Sequence, residues 1–229
     1  MNKFKTMISA ACSLVLLSVS APVVADSGNF AGPYVAISAS GYGVQLSGES
    51  ISSSSELNQT VTAIDEVSVG KVALVTGFEA GYAIPVGSMF LLDIGAAYHT
   101  GAAKLDYISD DTSGSFDEIT FTIDGLKTGY IAPTIVLSDT SSLFVKVGLT
   151  EADVVTTGDI TPPADLSGTT WTIGTRTVLS SGIFIRTEAG YTDYNGISSH
   201  GKGTTRVATT SYSAEPTIAF GAISLGFRF

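Results

Sequence analysis

The sequence predicts an all-β fold, an eight-stranded antiparallel up-and-down transmembrane β-barrel. Three observations carry that prediction. Apolar residues recur with a period of two in stretches of about ten residues, with no helical period. The connections between the stretches alternate between short and long, as tight turns and large external loops do in such barrels. Charged residues inside the stretches fall opposite the apolar face.

Composition agrees. The chain has 229 residues, 44% hydrophobic and only 14% charged, against about 25% charged in an average soluble domain. Mean hydropathy is +0.35. Beyond the N-terminal segment no window reaches the roughly 18 consecutive apolar residues of a membrane-spanning helix. Gly, Ser and Thr dilute every run. This argues against a helical membrane protein, and the apolar content argues against disorder.

The N-terminus reads as a secretory signal. Lys3 and Lys5 precede an apolar segment, Met7 to Val19, and Val23-Val24-Ala25 ends in a small residue before Asp26. Cleavage is expected after Ala25. Residues 1–25 are then the leader, and residues 26–229 form one barrel domain. Cys12 is the only cysteine and lies in the leader. Ser9 stands where a lipidation motif wants an aliphatic residue, so no lipid anchor is expected. The mature chain must hold together without disulfides. Net charge is −10 and the pI about 4.4. Loss of Lys3 and Lys5 leaves nine basic against 21 acidic residues, a net −12. That argues against a nucleic-acid partner, which needs a basic face.

The predicted strands, in order, are Tyr34 to Leu46, about Val69 to Ala83, Met89 to Ala102 and about Ile119 to Leu137. Then follow Leu143 to Ala152, Thr169 to Leu179, Ile183 to Tyr194 and Val207 to Phe229. Ile84 to Ser88, Ser138 to Ser142 and Ser180 to Gly182 are short turns. Ser47 to Ser68, Ala103 to Glu118, Asp153 to Gly168 and Asn195 to Arg206 are long polar loops. Pairing of Gln59 to Ile64 or Lys104 to Ile108 leaves a ten-stranded count open.

The facing of charge is the sharper signal. On the second strand Lys71 and Glu79 oppose Val72, Leu74, Phe78 and Tyr82. On the third, Asp93 and His99 oppose Phe90, Ile94 and Tyr98. Lys146 opposes Leu143, Val145, Val147 and Leu149. Arg176 opposes Trp171, Ile173 and Leu179. Arg186 and Glu188 oppose Ile185, Ala189 and Tyr191. Arg228 opposes Ile223, Leu225, Phe227 and Phe229. The fourth strand is the least regular: Lys127 is placed inward, opposite Leu126, Thr128 and Tyr130. Nine charges are thus expected in the lumen: Lys71, Glu79, Asp93, Lys127, Lys146, Arg176, Arg186, Glu188 and Arg228. A base on the lipid face near the midplane costs about 2–4 kcal/mol, so six of them outward would rival a domain's whole stability. Glu151 and Asp193 break the pattern, but both fall where a long connection begins.

Aromatic residues fit two interfacial girdles. Tyr82, Phe90, Phe227 and Phe229 border short turns or the C-terminus. Tyr98, Trp171 and Tyr191 border long loops. Phe90 to Tyr98 is about 26 Å along a strand, or roughly 20 Å of height in a tilted barrel.

Three segments resemble a bacterial family, the small outer-membrane β-barrels that include the transmembrane domain of outer-membrane protein A and the opacity-type porins. Phe30-Ala-Gly-Pro-Tyr34-Val-Ala-Ile is similar to the family's opening strand. Phe184-Ile-Arg186-Thr-Glu188-Ala-Gly-Tyr191-Thr-Asp-Tyr194 is similar to its seventh. Ile223-Ser-Leu225-Gly-Phe227-Arg-Phe229 resembles its C-terminal insertion signal. The resemblance covers the mature chain. It implies residence in the bacterial outer membrane, contact with membrane lipid and lipopolysaccharide, and recognition of the last strand by the barrel-assembly machinery. No peptidoglycan-binding domain is expected.

For function, the lumen charges read either as a structural ion-pair core, the favoured reading, or as the lining of a narrow pore. The loops are acidic at Asp65-Glu66, Asp110-Asp111 and Asp117-Glu118. His99 and His200 are the only histidines, and no nucleophile or zinc motif accompanies them. No catalytic residue, metal or cofactor is implied. The expectation is a structural or surface-interaction role through four acidic extracellular loops. A small channel and a lipid A-modifying enzyme are the alternatives.

Overall fold

The computed structural model describes residues 26–56, 59–101, 103–110, 116–157, 164–179, 182–200 and 208–229. The expected signal peptide lies outside them. A 3-10 turn, Ser27–Asn29, leads into the strands β1 (Gly32–Glu56), β2 (Gln59–Pro85), β3 (Phe90–Thr100), β4 (Ala103–Asp110) and β5 (Phe116–Ser138). These continue into β6 (Ser141–Thr157), β7 (Leu166–Val178), β8 (Ile183–Tyr194), β9 (Ile197–His200) and β10 (Ala208–Arg228).

The sheet closes on itself. Around the wall the order is β1-β2-β3-β5-β6-β7-β8-β10, and β10 pairs antiparallel with β1 from Ala208–Ser54 down to Arg228–Tyr34. These are eight staves, as the sequence predicts. β4 and β9 add none. β4 pairs with Phe116 to Ile123 of β5, just beyond the partners of β3, and β9 pairs with Ser211 to Ala214 of β10, just beyond the partners of β8. Each continues its stave above a break, so pairing of Lys104 to Ile108 lengthens the third stave instead of creating a ninth. Closure leaves none of the eight staves with a free edge in the belt, the one way a sheet can sit in hydrocarbon.

The short turns fall where predicted. Two of them need a left-handed backbone and have glycine there: Gly87 at φ 113° and Gly182 at φ 82°. The long loops are the main correction. Ser47 to Ser68 is not a loop: β1 and β2 pair residue by residue from Ser47–Ser68 to Glu56–Gln59. β6 likewise runs to Thr157. Above the membrane both faces of a strand meet water, so Ser- and Thr-rich segments carry no period-two contrast, while ladder hydrogen bonds still extend the hairpin.

Inward aromatic rings lie over inward glycines on the neighbouring stave. The cross-strand pairs are Tyr34–Gly81, Tyr130–Gly95, Phe144–Gly174, Phe220–Gly190 and Phe184–Gly226. At each of these glycines an added Cβ would overlap the ring. The ring covers backbone that a glycine would otherwise leave bare, and the pair helps to pin the register.

The lumen is layered. At the turn end Phe30, Tyr34, Leu91, Val136 and Phe184 form an apolar floor. The N-terminal turn closes it from below. Ser27 Oγ donates to the Gly87 carbonyl at 2.6 Å, and Arg228 Nη1 donates to the Gly28 and Ala31 carbonyls at 3.2 and 3.0 Å. Toward the hairpin end a second apolar layer contains Tyr42, Val44, Val75, Leu126, Leu166, Tyr194 and Ile218.

Candidate functional site

Between the two apolar layers six charged side chains meet. They occupy inward positions of β2, β3, β6, β7 and β8. Glu79 on β2 accepts from Arg186 Nη1, and its second oxygen lies 3.3 Å from Lys146 Nζ. Glu188 lies 3.0 Å from the same Nζ and 3.5 Å from the Arg186 guanidinium. Arg176 Nη2 donates to Asp93 at 2.7 Å, and the Thr134 hydroxyl donates to the other Asp93 oxygen at 2.7 Å. The Tyr130 hydroxyl donates to Glu79 and stands 2.8 Å from the Tyr34 hydroxyl.

Rings carry part of the load. The Arg186 guanidinium lies 5.1 Å from the Tyr34 ring centre, and Lys146 Nζ lies 4.4 Å from that of Tyr130, both within cation–π range. Arg186 is 1% exposed and Asp93 is 0% exposed. Ions so buried are tolerable only when paired and hydrogen-bonded. Three bases face three carboxylates, so the cluster is neutral.

Above the cluster, hydroxyls link neighbouring staves. Thr128 meets Thr150 at 2.8 Å, Thr150 meets Thr170, and Thr170 meets Thr192 at 2.8 Å. This polar ladder runs across β5, β6, β7 and β8. The space it shares with His99, Lys146 and Thr172 has a volume of about 30 Å³, enough for one or two waters. His99 faces this space with its ring 5.7 Å from that of Tyr42.

Of the nine charges expected in the lumen, the structure brings six together: Glu79, Asp93, Lys146, Arg176, Arg186 and Glu188. Lys71 is exposed toward the hairpin end of β2, on the same alternation as Val75 and Glu79. Arg228 seals the lower mouth. Lys127 is a correction. It points outward, 57% exposed, with Asp153 Oδ1 at 3.6 Å, and Leu126, Thr128 and Tyr130 turn inward. A bulge between Asp124 and Lys127, with Gly125 at φ 61°, resets the alternation of β5. Lys127 pairs across the wall with Tyr98 and Glu151. That row lies at the upper interface, where water solvates a cation and the midplane penalty is absent.

The aromatic residues Tyr82, Phe90, Tyr98, Trp171 and Phe227 point outward, and Tyr191 is half-buried. Ile223, Leu225 and Phe229 also face out. Sequence reasoning missed Tyr34, Tyr130 and the threonine ladder. The only advance signal for the two tyrosines was their pairing with Gly81 and Gly95, which needs the register to be seen.

No sequence-family model and no curated protein matches the chain. Solved structures do. The chain covers 100% of outer membrane protein OprG from Pseudomonas aeruginosa with 90% of its own length, at 10% identity and a TM-score of 0.54. It matches outer membrane protein AlkL, solved in lipid bilayers, at 16% identity and TM-score 0.47, covering 93% of this chain and 95% of that one. It matches Ail of Yersinia pestis at 10% identity and TM-score 0.32, covering 83% and 99%. The OprG likeness, with the closed sheet and its outward apolar belt, gives the chain the fold of the small outer-membrane barrels and places it in a bacterial outer membrane.

Proposed function

We propose that this protein is a plugged, non-enzymatic outer-membrane anchor that displays four acidic β-hairpins at the cell surface. The observation that carries the reading is the filled lumen. A neutral cluster of six buried charges lies between two apolar layers, and the space beside the threonine ladder above it is water-sized. A conducting lumen needs a continuous wet path, and each apolar layer interrupts one. The hairpins are where the chain spends its length: β1 and β2 are 25 and 27 residues long, far more than the roughly 9–11 that span a bilayer. Acidic residues occupy paired positions there, with Glu49 opposite Glu66 and Asp65 opposite Ser50.

Two partners belong to the same proposal. The C-terminal strand, with Ile223, Leu225, Phe227 and Phe229, is the signal that the barrel-assembly machinery receives. Lipopolysaccharide is the outer-leaflet neighbour.

The test has two arms. In planar bilayers the refolded protein should give no conductance steps. A polylysine-coated sensor should retain it in nanodiscs, and shortening the hairpin between residues 49 and 66 should cut that retention while leaving heat-modifiability on gels intact. Steady channel currents, or unchanged retention after shortening, would overturn the reading.

A further inference from the structure

The outer wall is not smooth. Phe227, Val35, Ala80, Ala96, Gly129 and Leu149 occupy one register row, each paired across the wall with the next. The row crosses β10, β1, β2, β3, β5 and β6. At strand spacing that is about 24 Å. Because the strands tilt, the row climbs the barrel, from Phe227 near the turn end to Leu149, two residues below Glu151.

Where the row is small, at Ala80, Ala96 and Gly129, its neighbours stand higher. The row above carries Ile37, Phe78, Tyr98 and Lys127, and the row below carries Tyr82, Ile94 and Ile131. All seven side chains are exposed. Against the upper ridge the row forms a groove of about 930 Å³, the size of a ligand cleft, which continues past Phe227 to Leu225 and Ile183. Its walls are mostly hydrocarbon, with Lys127, Thr128 and Glu151 at the upper end. Its upper end opens beside the Lys127 ammonium.

We propose that this groove is a binding site for lipopolysaccharide, with one acyl chain laid along the row and a phosphate of the headgroup at Lys127. The groove lies within the membrane belt, so what fills it is lipid. The charged end lies at the upper interface, so the lipid enters from the outer leaflet, where lipopolysaccharide resides. The Lys127–Asp153 pair does not stand in the way. It spans 3.6 Å with both side chains more than half exposed, and such pairs contribute little. Glu151 and Asp153 flank the ammonium, so the phosphate binds with a magnesium ion offsetting the two carboxylates. This inference rests on the outer-membrane reading and is independent of what the hairpins bind.

The experiment counts bound lipid. The full mature chain is refolded into phosphatidylcholine vesicles containing lipopolysaccharide and magnesium, then extracted in mild detergent. Native mass spectrometry measures how much lipopolysaccharide each barrel keeps. Wild type should keep one. Ala96→Leu with Gly129→Leu fills the groove floor, and a Cβ at Gly129 meets nothing within 4 Å, so the barrel should fold and its retention should fall about tenfold or more. Lys127→Gln should lower retention by about threefold. Ala189→Leu, outward on β8 and away from the groove, should leave it unchanged. A folded double variant that keeps lipopolysaccharide as wild type does overturns the site. Equal retention of phosphatidylglycerol by wild type overturns the choice of lipid. Loss of polylysine binding with retention intact would bear on the hairpins alone.

Discussion

Asp93 and Arg176 meet at 2.7 Å across the barrel interior, from staves β3 and β7 that lie three places apart around the wall. The pair is a strut. It joins walls that share no ladder hydrogen bonds, in a layer closed to water. Removing one partner strands the other charge there. Asp93→Ala should therefore cost about 3–5 kcal/mol, read as a lower urea midpoint for unfolding in detergent. Asp93→Leu combined with Arg176→Met should recover much of that loss. If the single variant unfolds at the wild-type midpoint, the strut has no structural weight.

Lys127 and Lys146 give a second comparison. Both were expected inside, and only Lys146 is. Lys146→Met should cost about 3–5 kcal/mol because Glu79 and Glu188 both lose a partner. Lys127→Met, on the exposed wall, should stay within about 0.5 kcal/mol. The same urea titrations measure both, and equal costs would place Lys127 back in the lumen.

The ring-over-glycine pairs make a third. Gly226 lies under the Phe184 ring, where a Cβ has no room. Gly226→Ala should destabilise the barrel by about 1–3 kcal/mol through overpacking. Gly129→Ala, outward with open space around it, should be nearly neutral. Heat-modifiability as a function of temperature separates the two.

The threonine ladder makes a fourth. Thr170 is its central member, bonded to both Thr150 and Thr192. Thr170→Val keeps the shape, leaves Thr150 with Thr128 alone and strips the buried Thr192 hydroxyl of its ladder partner, which costs about 1–3 kcal/mol. Thr175 and Thr187 form a similar pair, 2.9 Å apart, on the exposed wall. Thr175→Val there should be neutral or stabilising, since a methyl suits lipid better than a hydroxyl.

Much of this architecture could be read before any fold was known. Alternation placed all eight staves, and the inward facing of Glu79, Asp93, Lys146, Arg176, Arg186 and Glu188 follows from it, because lipid charges each strand separately for a misplaced ion. Facing is a local property, set by the period of two within one strand. It failed at β5, where one bulge reverses the alternation and the interface makes an outward Lys127 cheap. It also failed at the hairpins, where water on both sides erases the contrast that marks a strand.

What the sequence by itself determined, then, is the set of side chains that cannot face hydrocarbon. The tertiary structure decided which of them touch. Arg176 reaches Asp93 and not Glu79, Tyr130 reaches Glu79, and the small residues of three strands fall into one oblique groove, all through the stagger between staves. Stagger is a relation between distant segments, fixed when the last strand meets the first, and no single stretch of the chain carries it.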